Sequence, residues 1–372
     1  MTRGQGPQHK WQHRHLLGFA ILALALLSFT SVASAKHHKK SHHSSGGWSW
    51  SKHYPLPGAN PQIDALTCPS AVLCVATGDV GNPDNGSATD NVYWSTNPGG
   101  KTAAWQTAPL EAEIQPALAG NSAELLDDAS CVPAGAAVDC GLVDGFDNLW
   151  QSGAPTGGAG AWGRSMPTEI SFVAISCLSA YCGEIDVEGD AVVTLGAGVV
   201  SDQNVFADSD GLSNEPGAIS CNGAAFCAAV NGDNHIAWTS TATATPAGWQ
   251  TATLSSAYAL DSIDCPSATL CLAVGAKGNT AGILVSANPA GGAATWKFVK
   301  LPGGVGRISC TSSAFCAATG STKFFTSTDP GSAHASAWKK SKSPIAQAGL
   351  LSCPTTTECI AGNDGDLTVG HR

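Results

Sequence analysis

Charge is scarce in this chain. Only 12% of its 372 residues are Asp, Glu, Lys or Arg, and the basic ones are the fewer, 18 against 28 acids. That balance argues against nucleic acid as a partner, since binding phosphate needs the opposite sign. A helical period is missing too. Beyond residue 35 no long stretch keeps a 3.6-residue apolar repeat, so almost no helix is expected. Nor is any later stretch long and apolar enough to span a bilayer. There is no G-x-S-x-G elbow, which argues against an α/β-hydrolase site. No Walker or dinucleotide glycine pattern follows a strand and opens a helix. After residue 53 the histidines are His235, His334 and His371, and none sits in a ligand or triad pattern.

What is present is Gly, Ala, Val, Thr, Ser and Trp, a composition that suits many short strands and tight turns. The first 35 residues read as a targeting segment. Arg3, Lys10 and Arg14 form a basic start, Leu16 to Phe29 is apolar, and Ala33-Ser34-Ala35 offers a cleavage site. An uncleaved N-terminal membrane anchor is the alternative. Either way the remainder is expected outside the cytoplasm, where disulfides form. Residues 36–47 are polar, basic and His-rich, with nothing to bury, and read as a disordered lead-in. His37, His38, His42 and His43 offer loose transition-metal binding, and the cationic stretch offers attraction to an anionic envelope polymer. With no ligand geometry fixed, a solvated spacer is the leading reading.

The rest of the chain is a repeat counted by cysteine. All 14 cysteines fall into pairs: Cys68/Cys74, Cys131/Cys140, Cys177/Cys182, Cys221/Cys227, Cys265/Cys271, Cys310/Cys316 and Cys353/Cys359. The first members are 63, 46, 44, 44, 45 and 43 residues apart. A period near 44 is that of a four-stranded propeller blade. The long first interval is ascribed to extra loop residues such as Asp79 to Asn91 and Glu111 to Asp128. In each copy, strand a carries the first Cys and strand b the second. Strand c precedes a turn, and strand d opens on a Trp: Trp105, Trp162, Trp249, Trp296 and Trp338. The third copy lacks that Trp, and Asn204-Val-Phe206 is expected to take its place. Radial four-stranded sheets would bury these rings between neighbouring blades. The seventh copy ends on strand c, Asp366 to Gly370, while Trp48 to Leu56 look like an orphan strand d. The prediction is an all-β, seven-bladed propeller over residues 48–372, closed by the N-terminal strand, which removes an open edge.

Five residues usually separate the paired cysteines. Zinc sites want two or four, with further ligands elsewhere, and a redox motif wants two. The spacing instead predicts a disulfide across each a–b hairpin, because opposed residues of an antiparallel pair lie within disulfide range. Each short loop would contribute ~1–3 kcal/mol.

Strand c followed by Ser327-Thr-Asp-Pro-Gly331 and Trp338 resembles a loosened Asp-box of the BNR, sialidase-like repeats. Ser95-Thr-Asn-Pro-Gly99 with Trp105 and Ser286-Ala-Asn-Pro289 with Trp296 are similar. The repeated Ser-Cys-Pro-Ser…Leu-Cys-x-Ala phrase also resembles the secreted, Cys-paired propellers common in high-GC actinobacteria. The resemblance spans residues 48 to 370 and implies the fold. At its most ambitious it implies a sialidase, with three arginines gripping a carboxylate, a Tyr nucleophile with a Glu partner, and an Asp acid/base. Beyond the leader, however, the arginines are Arg164, Arg307 and Arg372. Arg164 is expected on an outer strand and Arg372 is terminal, which leaves Arg307 alone on an inner strand. Tyr54, Tyr93, Tyr181 and Tyr258 show no partner motif.

Acidity is concentrated. Residues 64–215 hold 21 acids against Lys101 and Arg164, a balance of −19, while residues 216–372 come to +2. Glu184, Asp186, Glu188 and Asp190 alternate, which predicts all four on one strand face. With Asp208 and Asp210 beside Gly211 they are candidate calcium ligands; a solvated edge that keeps an exported protein soluble is the other reading. The function expected is a non-catalytic binding or scaffold module at the cell envelope, monomeric, without an obligate cofactor, recognising a glycan or a protein at one mouth of the propeller. A sialidase-like hydrolase or lyase is the runner-up, and a calcium-dependent envelope protein the third.

Overall fold

The structure, a computed structural model, describes residues 47–81, 89–110, 126–135, 137–144, 148–165, 171–196, 198–206, 217–223, 225–245, 247–254, 258–363 and 365–372. The expected leader, the tail up to residue 46, and Asp208, Asp210 and Gly211 lie outside them.

Short alternating segments between turn residues form strands, and the strands form seven antiparallel sheets. The chain opens with β1 (Ser49–Trp50) and β2 (Tyr54–Pro55). Blade 1 is β3 (Pro61–Ser70), β4 (Leu73–Val80), β5 (Thr89–Ser95) and β6 (Trp105–Pro109). Blade 2 is β7 (Leu126–Ala134), β8 (Ala137–Asp144), β9 (Leu149–Ser152) and β10 (Gly163–Ser165). Blade 3 is β11 (Phe172–Cys177), β12 (Cys182–Asp186), β13 (Asp190–Leu195) and β14 (Gly198–Asn204). Blade 4 is β15 (Ala218–Asn222), β16 (Phe226–Val230), β17 (His235–Thr239) and β18 (Gln250–Thr253). Blade 5 is β19 (Tyr258–Ser267), β20 (Leu270–Lys277), β21 (Thr280–Ser286) and β22 (Lys297–Lys300). Blade 6 is β23 (Arg307–Ser312), β24 (Phe315–Thr319), β25 (Lys323–Ser327) and β26 (Trp338–Lys342). Blade 7 is β27 (Leu350–Thr355), β28 (Glu358–Gly362) and β29 (Asp366–His371), completed by β1 and β2 pairing with β29. Each first strand packs against the first strand of the next blade, and β27 returns to β3. The result is a closed seven-bladed β-propeller.

Closure follows the repeat's own register. In blade 1, Cys74 faces Ser95 and Ser95 faces Trp105. In blade 7, Cys359 faces Gly370 and Gly370 faces Trp50. Trp50 therefore occupies the position of the strand-d tryptophan, supplied from the other end of the chain. It meets Phe324 of blade 6 edge-on at 4.9 Å and stacks on Trp48 at 5.8 Å, an arrangement suited to the ring quadrupoles. A Cβ on Gly370 would lie 2.7 Å from the Trp50 ring, so this copy has glycine where the others have Ser or Thr.

Each a–b hairpin carries its disulfide. The bridges are Cys68–Cys74, Cys131–Cys140, Cys177–Cys182, Cys221–Cys227, Cys265–Cys271, Cys310–Cys316 and Cys353–Cys359, with Cα atoms 4.0–4.1 Å apart. Strand c ends in a second repeated device. The hydroxyls of Ser95, Ser152, Thr239, Ser286 and Ser327 accept the N–H two residues on, at 3.0–3.2 Å, a local turn that reverses the chain toward strand d. The Asp-box-like phrase is thus a turn here.

Three expectations are corrected. Asp79 to Asn91 of blade 1 are not only loop: β4 and β5 run on to Val80 and from Thr89, with Asp79 opposite Asp90. Glu184, Asp186, Glu188 and Asp190 do not share one strand face. β12 ends at Asp186, Glu188 lies exposed in the turn, and β13 starts at Asp190. Finally, Val205 and Phe206 do not replace the missing tryptophan. They follow β14 and pack between blades 3 and 4, whereas a strand-d tryptophan sits at the start of its strand and faces the preceding blade.

Candidate functional site

The first strands surround a central cavity of about 410 Å³. Its polar lining is organised by one rule of sequence. The residue before each first cysteine accepts the N–H of the first cysteine in the next blade. Cys68 donates to Ser352, Cys131 to Thr67, Cys177 to Ser130, Cys221 to Ser176, Cys265 to Ser220, Cys310 to Asp264 and Cys353 to Ser309, at 2.7–3.2 Å. Seven hydrogen bonds close a ring around the channel, satisfying one backbone donor per blade that no strand could reach. Six acceptors are hydroxyls and one, Asp264, is a carboxyl. Burial pushes Asp264 up to about 7, against the pull of its bond from Cys310.

The cysteines, singled out by the sequence, are not site residues in the sense of meeting a ligand. Cys74, Cys227, Cys271, Cys316 and Cys359 on the second strands are 0% exposed. The reason is where strand b sits: between strands a and c, with its side chains turned into the gap beside a neighbouring blade. Cys227 packs in the cluster between blades 3 and 4, with the Tyr181 hydroxyl 3.7 Å from its sulfur. Cys271 packs between blades 4 and 5, and Cys316 between blades 5 and 6. All are oxidised and enclosed, so they brace hairpins and fill the core.

The other charged groups of the lining are engaged like Asp264. Asp128 accepts the N–H of Ile175 at 3.0 Å and of Ala129 at 2.9 Å. Burial raises its pKa, while those bonds and the charge of Arg307 lower it. Arg307 donates to the carbonyls of Gly349 at 3.0 Å and Asp261 at 3.4 Å. Asp64 completes the acidic part of the lining.

The d–a and b–c connections form one mouth of this channel, and acids gather there in the first three blades. Asp79 and Asp90 are buried opposite each other across β4 and β5. Burial raises Asp79, opposed by its hydrogen bond with Asp90. Beside them Tyr93 is raised by burial and by Asp79 and Asp64. Burial, with Asp64, Asp144, Asp128 and Asp79 around it, pushes Asp127 up to about 8. Asp144 is held by Asn148 and by the Trp150 indole at 3.1 Å, and Arg164 donates to Asn148 at 2.6 Å.

The four acids singled out in blade 3 have separate tasks. Glu184 is fully buried, accepts a bond from Thr194 at 2.8 Å and is pushed by burial to about 8. Asp186 caps the hairpin by accepting the N–H groups of Glu188 and Asp190, and burial takes it to about 7. Among the described residues no group of three or more acids, histidines or cysteines is arranged to hold a metal ion. The arginines do not converge: Arg164 is on β10, an outer strand, Arg307 on β23, an inner one, and Arg372 ends the chain.

A second cavity, about 300 Å³, opens between blades 2 and 3 on the other face, where the a–b hairpins lie. Asp139, Gln151, Tyr181 and Gly196 are among the residues that line it, together with cysteines of both blades' disulfides. Neither this cleft nor Asp264 was marked by any motif.

No family model matches the chain, and no curated protein matches it. Solved structures do, at low identity and over most of the chain. A chain of the mitotic checkpoint complex is 13% identical with a TM-score of 0.63, over 94% of this chain and 99% of that one. YCF48 from Cyanidioschyzon merolae is 14% identical with a TM-score of 0.60, over 87% and 98%. YCF48 bound to D1 peptide is 11% identical with a TM-score of 0.59, over 87% and 94%. At such identities the likeness shows the propeller fold alone.

Proposed function

We infer that the chain is a non-catalytic protein-binding scaffold, exported and acting as a monomer at the cell envelope, which presents its acidic mouth to a basic segment of a partner. The observation that carries this is how the channel's charged groups are occupied. Asp128, Asp264 and Arg307 each hold backbone groups of their own or a neighbouring blade; they brace the ring. Asp79, Asp90, Asp144, Glu188 and Asp190 lie at the d–a and b–c mouth, in a stretch, residues 64–215, whose formal balance is −19, and this acidity favours and steers a cationic partner. Export is supported by the leader sequence and by seven disulfides, which persist in oxidising compartments. YCF48 bound to a peptide is an instance of this fold presenting a polypeptide-binding surface. The reading needs no cofactor.

The test is photocrosslinking in the source cells from Gln62 and Glu188, exposed at the acidic mouth, with Lys340, exposed on β26, as control. A discrete protein adduct from the first two, lost as salt is raised, is expected. Adducts to glycan alone, or equal adducts from Lys340, would overturn it. One observation favours the hydrolytic alternative: Asp64, Asp128 and Asp264 line one cavity with Arg307, and Asp264 has the raised pKa of a general acid. Turnover of a sialoglycan panel, abolished by Asp264→Ser, would establish that reading instead.

A further inference from the structure

Six of the seven gaps between blades are plugged by an indole of the chain itself. Trp105 fills the gap between blades 7 and 1, Trp162 that between 1 and 2, Trp249 that between 3 and 4, Trp296 that between 4 and 5, and Trp338 that between 5 and 6. Trp50 does so between blades 6 and 7. The five strand-d indoles are at most 9% exposed. Each shares its cluster with a disulfide cysteine of its own blade, a contact that suits polarisable sulfur and an aromatic ring.

The gap between blades 2 and 3 differs at two equivalent positions. In blade 3, Cys182 faces Thr194 and Thr194 faces Val199, so Val199 stands where the tryptophan should be, 38% exposed. In blade 2, Gln151 occupies the strand-c position of Trp94 in blade 1 and Trp238 in blade 4. Among the described residues, no tryptophan belongs to or packs against the hydrophobic cluster of this gap. The cleft of about 300 Å³ is the consequence. Gly196 lines the cleft and lies in the chain between Leu195, 42% exposed, and Val199. Inside, the Gln151 amide lies 3.9 Å from the Cys182 sulfur, and Asp139 supplies a carboxylate.

We propose that this cleft receives an aromatic side chain of a protein partner, in the place the chain's own indole takes in the other six gaps. The Asp139 carboxylate and the acidity of these blades select a partner segment in which the aromatic residue is flanked by lysine or arginine. The proposal rests on the scaffold reading above and adds a second contact surface to it.

The test uses the full chain and blocked tripeptides, with calorimetric titration and the NMR signal of the Gln151 side-chain amide as readouts. Lys-Trp-Lys is expected to bind in the millimolar range and to shift that amide, with Lys-Ala-Lys at least about tenfold weaker. Val199→Trp supplies the missing plug and should abolish peptide binding while raising the melting temperature. Should that variant fold poorly, Gln151→Trp, which copies blades 1 and 4, fills the same space and should also abolish binding. Asp139→Asn should weaken Lys-Trp-Lys several-fold yet leave N-acetyltryptophanamide unaffected. Equal binding of the alanine peptide, undiminished binding by a folded tryptophan variant, or no binding at ~10 mM would each overturn the proposal. If the peptide arms fail while crosslinks from Gln62 and Glu188 persist, the cleft reading falls and the scaffold reading stands.

Discussion

The gap between blades 1 and 2 and the gap between blades 2 and 3 are built on the same repeat and end differently. In the first, Trp94, Trp150 and Trp162 fill the space, all at most 7% exposed. In the second, Gln151 and Val199 stand at the positions of Trp94 and Trp162, and a cavity remains. Both gaps keep the disulfides and the inner ring of hydrogen bonds. The comparison separates two jobs that a repeat usually hides. Hairpin disulfides and channel hydrogen bonds suffice to place a blade, whereas the indole fills the widening outer part of the gap. A copy that drops the indole keeps its place in the ring and gains a cleft.

The largest effect that would sharpen this comparison is loss of a plug together with the closing strand. Deleting residues 47–56 removes Trp50 and leaves β29 as an open edge. The melting temperature should fall by more than about 10 °C; an unchanged calorimetric transition would refute closure from the N-terminus. Next comes a direct contrast between the two gaps. Trp162→Ala creates a cavity in a filled gap and should cost about 3–5 kcal/mol. Val199→Ala, at the equivalent but exposed position, should cost less than about 1 kcal/mol. Denaturant midpoints read both, and equal losses would mean that the gap between blades 2 and 3 is packed after all.

Much of this was legible in the chain. The cysteine period, the tryptophan opening strand d and the orphan Trp48 to Leu56 segment each follow from local chemistry repeated at fixed spacing, and they led to the correct blade count, disulfide pairing and ring closure. Sequence reasoning failed where a copy departs from the pattern. Asn204-Val-Phe206 is apolar and near the right place, but strand d must be aligned from its start, opposite Thr194, to show that Val199 is the equivalent residue. The alternation Glu184 to Asp190 has a strand's period yet crosses a hairpin, since Asp186 bonds two N–H groups in the turn. Asp264 could have been found by aligning the copies on cysteine: Thr67, Ser130, Ser176, Ser220, Ser309 and Ser352 precede the others. Nothing in one-dimensional pattern, however, says that this residue reaches the next blade.

Asp264 offers the finest version of the same contrast, a departing copy against six conforming ones. Its carboxyl has a pKa of about 7 in the folded protein because burial disfavours the charge; unfolded, it titrates in the ordinary carboxylate range near 4. Between those values the folded state holds a proton that the unfolded chain has released. Its contribution to stability is therefore fully present below about pH 4 and is lost as pH rises through about 7. Asp127 and Glu184, pushed to about 8, and Asp186, to about 7, act in the same direction. The protein should melt several degrees higher at pH 5 than at pH 8. Asp264→Ser replaces the odd carboxyl by the hydroxyl that the other blades use, which keeps an acceptor for the Cys310 N–H. It should change the melting temperature little at pH 5, raise it by a degree or two at pH 8, and so flatten the profile. Parallel profiles for the two proteins would show that Asp264 is ionised in the ring at both pH values. The seventh hydrogen bond would then be charge-assisted, and the carboxyl would be a stronger brace than the hydroxyls it replaces.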